Sequence, residues 1–168
     1  MQAEPHTHTL QPLFRDAMST VAAGVHVITT DGEAGRYGIT MTAVTSVTDQ
    51  PPTVMLCINS QAYIVPLLEA NRRLCINVLS AEQQDAAEHF AGITRLTPEE
   101  RFNHHVWVEG PTGQPQVTGA LAHLHGIITD HSVVGTHCVL FVRIEHISVH
   151  DTESPALTYF HRNFGSLT

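Results

Sequence analysis

Two short stretches carry polar residues whose types and spacing suit ligand binding. The hydroxyls of Thr40, Thr42 and Ser46 alternate along one face of a predicted strand, and the small side chains there let a flat ligand lie close to the backbone. Asn59-Ser60-Gln61-Ala62 precedes a predicted helix, whose N-terminus offers free amides and a positive potential. The first stretch is compatible with a flat ligand and the second with a phosphate, although β-propensity alone explains the hydroxyls of the first.

Histidine is abundant, with 13 in the chain. His123 and His125 share one face of a predicted strand, as some metal ligands do, but the nearby carboxylates show no ligand spacing. We therefore expect most of these histidines to be exposed residues on strands rather than ligands of a metal ion. His137 differs, because it follows Gly135-Thr136 and begins a predicted strand, which places its imidazole at an exposed rim.

A predicted β-hairpin over residues 38–59 positions the first stretch. The run up to Thr48 is rich in Thr, Val and Ile, which favour strands, and Pro51-Pro52 ends it. Thr53 to Ile58 is almost continuously apolar, as in a strand buried on both faces. On pattern alone, an ordinary hairpin in a barrel core explains this stretch.

The remaining elements alternate short helices with strands. Residues 1–12 are expected to form a flexible arm, and residues 13–168 a single domain that begins with a helix over residues 13–22. Capping boxes at Ser80 and Thr97 predict two further helices. About seven strands in all favour an antiparallel barrel or sandwich.

Composition excludes several classes of protein. A net charge of −8, with eight arginines and no lysine, argues against nucleic-acid binding and against anionic membranes. No apolar run approaches the roughly 20 residues of a membrane span, and the N-terminus is not that of a secretory signal. Cys57, Cys75 and Cys138 lie far apart in apolar runs and predict buried thiols of a cytoplasmic protein. Neither a Gly-x-Gly-x-x-Gly nor a Gly-x-Ser-x-Gly motif is present.

The order of several motifs resembles the short-chain flavin reductase family, the reductases of the FMN-binding split-barrel type. The resemblance runs from about Phe14 to Phe164 and is closest to two subgroups: the reductase components of 4-hydroxyphenylacetate 3-monooxygenases, and the flavin reductases of pyrimidine degradation. It is carried by these segments: residues 38–47, 51–59, 74–79, 89–92, 100–102, 135–137 and 159–164.

The resemblance implies a mainly β, antiparallel Greek-key split β-barrel with a few short flanking helices. It implies a nicotinamide pocket bordered by His137, the one residue for which a catalytic role is expected. It further implies flavin contacts by the following residues: Thr40, Met41, Thr42, Ala43, Ser46, Asn59, Ser60, Gln61, Ala62, Phe90, Ala91, Gly92, Arg101, Tyr159 and Arg162. Either Arg101 or Arg162 could pair with phosphate, and an exposed ion pair explains each equally well.

The function implied is that of a NAD(P)H:flavin oxidoreductase that supplies reduced FAD or FMN, by diffusion, to a separate monooxygenase. A homodimer is expected, with residues near Trp107 and the C-terminal segment reaching across its interface. The preference between FAD and FMN stays open, while the absence of lysine weakly favours NADH over NADPH. Two alternatives remain: a non-catalytic flavin- or haem-binding split-barrel protein, and a His-rich metal-binding β-barrel.

Overall fold

The computed structural model describes residues 7–150 and 153–168. Four helices are present in this part of the chain: α1 (Thr7–Ser19), α2 (Ile64–Asn71), α3 (Gln84–Phe90) and α4 (Pro98–Arg101). The strands are β1 (Ala23–Gly24), β2 (His26–Thr30), β3 (Tyr37–Met41), β4 (Val44–Asp49), β5 (Pro52–Asn59), β6 (Arg73–Val78), β7 (Trp107–Glu109), β8 (Pro115–Val117), β9 (Ala122–Val134), β10 (His137–Val149), β11 (Ala156–Phe160) and β12 (Asn163–Leu167). None of the described helices is long and apolar enough to cross a membrane.

Seven antiparallel strands form the main sheet, in the order β3-β2-β6-β9-β10-β5-β4. Its two edge strands, β3 and β4, are consecutive in the chain and are joined only by Thr42 and Ala43. The sheet must therefore curl until its edges meet. The resulting fold is an antiparallel split barrel with a few short helices, as the sequence predicts.

The predicted single strand over residues 38–47 is wrong in one respect. The chain leaves the sheet at Thr42 and returns to the opposite edge at Val44, whose amide donates to the Thr42 carbonyl at 2.8 Å. Hydroxyls at positions 40, 42 and 46 therefore do not share one strand face. The β4–β5 hairpin that follows is present as predicted.

Strand β2 is covered on both faces, and this divides the core into two clusters. Ile28 packs inside the barrel with residues such as Leu56, Leu74 and Leu140. Val27 points the other way and packs with Leu79, Phe90 and Leu157 beneath α3 and the small β1-β11-β12 sheet. This second cluster attaches the helices to the barrel.

Burial along β5 and β10 shows which strand patterns were interpreted correctly. In β10, the residues from Cys138 to Ile144 alternate between buried and more exposed, as predicted. In β5, Val54, Leu56 and Ile58 are buried while the residues between them are half-buried, so this strand is not equally covered on both faces. Its other face is partly exposed rather than covered by a second layer.

Helix starts follow the capping signals closely. Capping boxes form at Ser80, where a 3₁₀ turn leads into α3, and at Thr97, where Pro98 begins α4. Helix α1 begins at Thr7 instead of Leu13, so residues 7–12 of the predicted arm are helical. The rest of that arm, residues 1–6, lies outside the described residues.

A buried amide, that of Asn77, joins three strands. Its Nδ2 donates to the Val27 carbonyl at 3.0 Å, and its Oδ1 accepts from the Val117 amide at 2.9 Å. Asn77 is fully buried. It therefore connects β6 to β2 and to β8, and its removal would leave buried backbone groups without partners.

We predict that Asn77→Leu lowers the free energy of unfolding by about 2–4 kcal/mol, because two buried polar groups lose their partners. Urea denaturation followed by circular dichroism measures the change. The matched control is Asn103→Ala, at an exposed asparagine, which should leave the unfolding midpoint near that of the wild type. Equal midpoints for Asn77→Leu and the wild type would contradict the proposed role of this amide.

Candidate functional site

A groove follows β3 along the seam where the barrel edges meet. Its first part, the α2 lobe, has a volume of about 330 Å³. Six of the residues predicted to contact the ligand line this lobe: Thr40, Ala62, Phe90, Ala91, Gly92 and Arg101. The fold thus brings together residues that are up to 61 positions apart in the chain.

The second part, the β12 lobe, has a volume of about 210 Å³. Five predicted residues line it: Thr40, Met41, Thr42, Ala91 and Tyr159. Thr40 and Ala91 line both lobes, which therefore form one continuous groove. Most of the β12 lobe is apolar, since Val25, Ile93 and Phe164 complete its lining.

The wall of the groove opposite β3 is the end of α3, held by two contacts. Thr40 Oγ1 donates to the Ala87 carbonyl at 2.7 Å. Phe90 lies over Gly38 so closely that a Cβ at position 38 would stand 2.7 Å from its ring. Because the Thr40 hydroxyl already donates to α3, only its acceptor lone pairs remain for a ligand.

Arg101 supplies the positive charge of the α2 lobe. Its guanidinium stands 5.7 Å from the centre of the Tyr37 ring and near Gly92, and it makes no ion pair with a carboxylate of the described residues. Arg162 has the opposite surroundings. It lies in the β11–β12 turn, and its guanidinium pairs with Asp16 of α1 at 2.6 Å. Of the two candidate arginines, only Arg101 lines the groove.

The loop from Asn59 to Ala62 joins β5 to α2. Asn59 Oδ1 accepts from the Gln61 amide at 2.9 Å, which shapes the turn, and Gln61 is exposed. The Ser60 hydroxyl is buried and has no hydrogen-bond partner among the described residues. An unpaired buried hydroxyl costs free energy, so this is the polar atom of the loop whose satisfaction by a ligand would be most favourable.

Besides Arg162, two predicted contacts lie away from the groove, and one lies beside it. Ser46 is exposed on β4 opposite Val54 and lines neither lobe. His137 begins β10 at the exposed barrel rim, as predicted, but also lines neither lobe; it pairs with Asn59 of β5. Ala43 lies at the seam itself, where its carbonyl accepts from the Cys57 amide at 3.2 Å.

Several groove residues were not found from the sequence. Tyr37, Ile39 and Tyr63 complete the α2 lobe. Phe164 belongs to β12, a strand that the sequence interpretation missed, and its ring packs edge-on against Tyr159 at 5.1 Å. The two positive-φ residues His161 and Arg162 make the turn before β12, and neither is a glycine or asparagine that would mark such a turn.

His123 and His125, near the start of β9, form a buried cluster separate from the groove. His123 Nε2 donates to the Val117 carbonyl at 2.8 Å, and His125 Nε2 donates to the Gln116 amide oxygen at 2.8 Å. Burial lowers the pKa of His123, and lowers the pKa of His125 to about 4. Both were expected to be exposed, and both are 2% exposed. Among the described residues no group of three or more His, Cys, Asp or Glu could hold a metal ion.

Comparisons with known proteins find relatives along most of the chain. Residues 18–168 match the family described as flavin reductase like domain. The 4-hydroxyphenylacetate 3-monooxygenase reductase component of Salmonella typhi is 51% identical over 151 residues, which are 90% of this chain and 88% of that protein. The FMN reductase (NADH) RutF of Stutzerimonas stutzeri is 43% identical over 155 residues, or 92% and 87% of the two chains.

A solved structure extends the likeness to three dimensions. The NADH:FAD oxidoreductase SgcE6 of Streptomyces globisporus C-1027 superposes with a TM-score of 0.85 at 26% identity, and the match covers 100% of this chain and 98% of that one. The resemblance predicted from the order of motifs is confirmed over nearly the whole chain.

Proposed function

The chain belongs to the flavin reductase like domain family, and we propose that it is an NAD(P)H-dependent flavin reductase. In this proposal it supplies reduced FAD or FMN to a separate flavin-dependent monooxygenase, as part of a two-component aromatic hydroxylase system. The observation that carries it is the continuous groove, because its two lobes collect nine of the predicted flavin contacts in one place. The names of the relatives, a monooxygenase reductase component and an FMN reductase, support the same role.

The residues present fit a flavin at both ends of the groove. The α2 lobe offers the Arg101 guanidinium without a carboxylate partner. Two residues before Ala62, which lines the lobe, the buried Ser60 hydroxyl has no hydrogen-bond partner among the described residues. Both suit a phosphate. The N-terminus of α2 adds its positive potential, and Tyr63 at its cap position makes no side-chain cap hydrogen bond.

The β12 lobe suits the isoalloxazine ring. Val25, Ile93 and Phe164 offer apolar surface, and Met41 and Thr42 bring backbone groups to the edge of the groove, where the chain leaves the sheet. Thr40, between the lobes, has acceptor lone pairs for the hydroxyls of the ribityl chain. The isoalloxazine ring, the ribityl chain and the phosphate thus meet matching surfaces in the order in which they follow one another in the flavin.

When bound, the flavin supplies the redox chemistry by accepting a hydride from the nicotinamide of NADH or NADPH. The contribution of the chain is to orient the two ligands and to exclude water by apolar lining, and no general acid–base pair is required. His137 lines neither lobe and pairs with Asn59 at the barrel rim; the family resemblance, rather than the groove, supports the proposal that it touches the nicotinamide or the flavin edge. Small errors in the alignment of two stacked rings slow transfer steeply.

We further propose a cytoplasmic homodimer. Helix α1 exposes four large apolar residues in the single chain, Leu10, Leu13, Phe14 and Met18, and Val21 is exposed just after the helix. A contiguous apolar surface of this kind marks an interface. The sequence predicts an apolar side of this helix made of Leu13, Phe14, Ala17, Met18 and Val21, and the structure leaves all five exposed. Three free cysteines, two of them buried, suit a reducing compartment.

The test of the function is turnover. We expect the protein to oxidise NADH in the presence of catalytic or greater amounts of free FAD or FMN, measured by loss of absorbance at the nicotinamide band. Absence of turnover with both flavins and both nicotinamide nucleotides would refute the enzyme, and a bound chromophore without turnover would favour a flavin- or haem-binding protein. Metal found by elemental analysis without flavin dependence would favour the metal-binding alternative.

His137 and Ser60 should separate rate from affinity. We expect His137→Ala to slow flavin reduction by about tenfold or more with little change in flavin affinity, and Ser60→Ala to raise the flavin dissociation constant by about tenfold. Anaerobic stopped-flow reduction and flavin titration measure the two effects. His131→Ala, exposed on the same hairpin, is the control for the first variant and Ser132→Ala for the second. An unchanged reduction rate in His137→Ala at saturating ligands would exclude its proposed role.

The homodimer predicts twice the monomer mass in light scattering at low protein concentration. Replacing Phe14 and Met18 together by glutamate should shift the mass to that of a monomer, because two charges would be buried in the interface. Arg15→Glu, which also lies on α1, controls for the change of charge. A wild-type monomer would contradict the dimer; a double variant that remains dimeric would place the interface elsewhere.

A further inference from the structure

Two tyrosines and an arginine form a cluster at the outer end of the α2 lobe. The rings of Tyr37 and Tyr63 are 5.0 Å apart, centre to centre, and tilted by 45°. The Arg101 guanidinium lies on Tyr37 at 5.7 Å from the ring centre. All three side chains line the lobe, so the cluster belongs to the groove rather than to the core.

Tyr63 is unusually placed for a large aromatic residue. It is 68% exposed, although its ring is apolar over most of its area. It also occupies the N-cap position of α2, where residues with short polar side chains stabilise a helix and Tyr63 makes no such bond. Neither burial nor helix capping therefore explains a tyrosine here. Tyr37 supports its ring on one side and leaves the rest open to the groove and to solvent.

The chemistry of the two flavins gives this surface a use. FAD differs from FMN by an adenosine monophosphate joined through the flavin phosphate. Whatever holds that phosphate, the adenine must leave the groove at the phosphate end, while FMN ends there. An arginine without a carboxylate partner suits the phosphate that both flavins carry, and an aromatic ring next to it can stack a base that extends past that phosphate.

We propose that Tyr63, supported by Tyr37, is the stacking surface for the adenine of FAD, so that the chain binds FAD more tightly than FMN. This inference rests on the proposed function, because it takes the α2 lobe as the phosphate end of a flavin groove. Arg101 serves both flavins through the phosphate that they share. Tyr63 serves FAD alone, and it therefore sets the preference between the two.

Isothermal titration of FAD and FMN into the wild type and three variants tests this. Tyr63→Ala should raise the FAD dissociation constant by about tenfold, since stacking of a base on an aromatic ring is worth about 1–3 kcal/mol. The ratio of the FAD to the FMN constant should rise with it. Tyr63→Phe keeps the ring and should keep the wild-type ratio.

The matched control is Ile93→Ala. Ile93 is exposed like Tyr63 but lines the β12 lobe, so its loss should weaken both flavins together and leave their ratio unchanged. The KM for NADH is measured in parallel. A Tyr63→Ala variant that raises this KM and not the FAD constant would assign the ring to the adenine of the nicotinamide nucleotide and overturn the proposal.

Two further outcomes are decisive. If the wild type reduces FMN and FAD but Tyr63→Ala leaves the ratio of their dissociation constants unchanged, the adenine site is refuted and the flavin reductase stands. If the wild type neither binds nor reduces either flavin, both proposals fail. A preserved FAD preference in Tyr63→Phe together with its loss in Tyr63→Ala supports the stacking surface specifically.

Discussion

The connection through Thr42 and Ala43 constrains the whole molecule. These two residues join β3 at one edge of the seven-stranded sheet to β4 at the other. Since consecutive Cα atoms are 3.8 Å apart, the edges are separated by at most about 11 Å at this point. A flat or gently twisted sheet of seven strands, each about 4.8 Å from the next, would hold its edges far beyond that reach. The barrel is therefore closed by a short covalent link, and the split beside that link is where the groove opens.

The depth of the groove depends on how α3 docks against β3. Gly38 has no side chain, so the Phe90 ring can lie directly on the strand, and Thr40 fixes the end of the helix through the Ala87 carbonyl. Phe90 is held from behind by the rings of Phe102 and Trp107, with centres about 5 Å away. The residues that follow then form part of the groove wall: Ala91 lines both lobes, and Gly92 lines the α2 lobe. A small residue in the strand thus positions residues more than fifty places further along the chain.

Local patterns in the sequence were sufficient for the fold class, for the capping boxes at Ser80 and Thr97, and for the alternation along β10. They failed where the local structure is determined by contacts with other elements of the fold. Thr42 favours a strand as its neighbours do, and the single alanine at position 43 does not mark a break, so only the pairing of β4 with β5 reveals that the chain has crossed the seam. Arg101 and Arg162 cannot be distinguished by their neighbours in sequence, because the ion pair with Asp16 that occupies Arg162 spans 146 positions. His123 and His125 look like exposed strand residues, because a period-2 pattern does not show that the preceding β7–β8 hairpin folds back over them.

The proposed role also demands that reduced flavin leave the protein, and the construction of the site suits that demand. The groove lies on the outside of the barrel, between a strand edge and the end of a helix, and its polar contacts come from a few side chains with one guanidinium among them. The Thr40 hydroxyl, which could have added a donor, is committed to α3. Binding then depends mainly on apolar contact with the ring and on charge at the phosphate, so that a modest free energy holds a ligand that must dissociate in every turnover. The same reasoning explains why an added stacking surface at Tyr63 would tune which flavin is delivered without enclosing it.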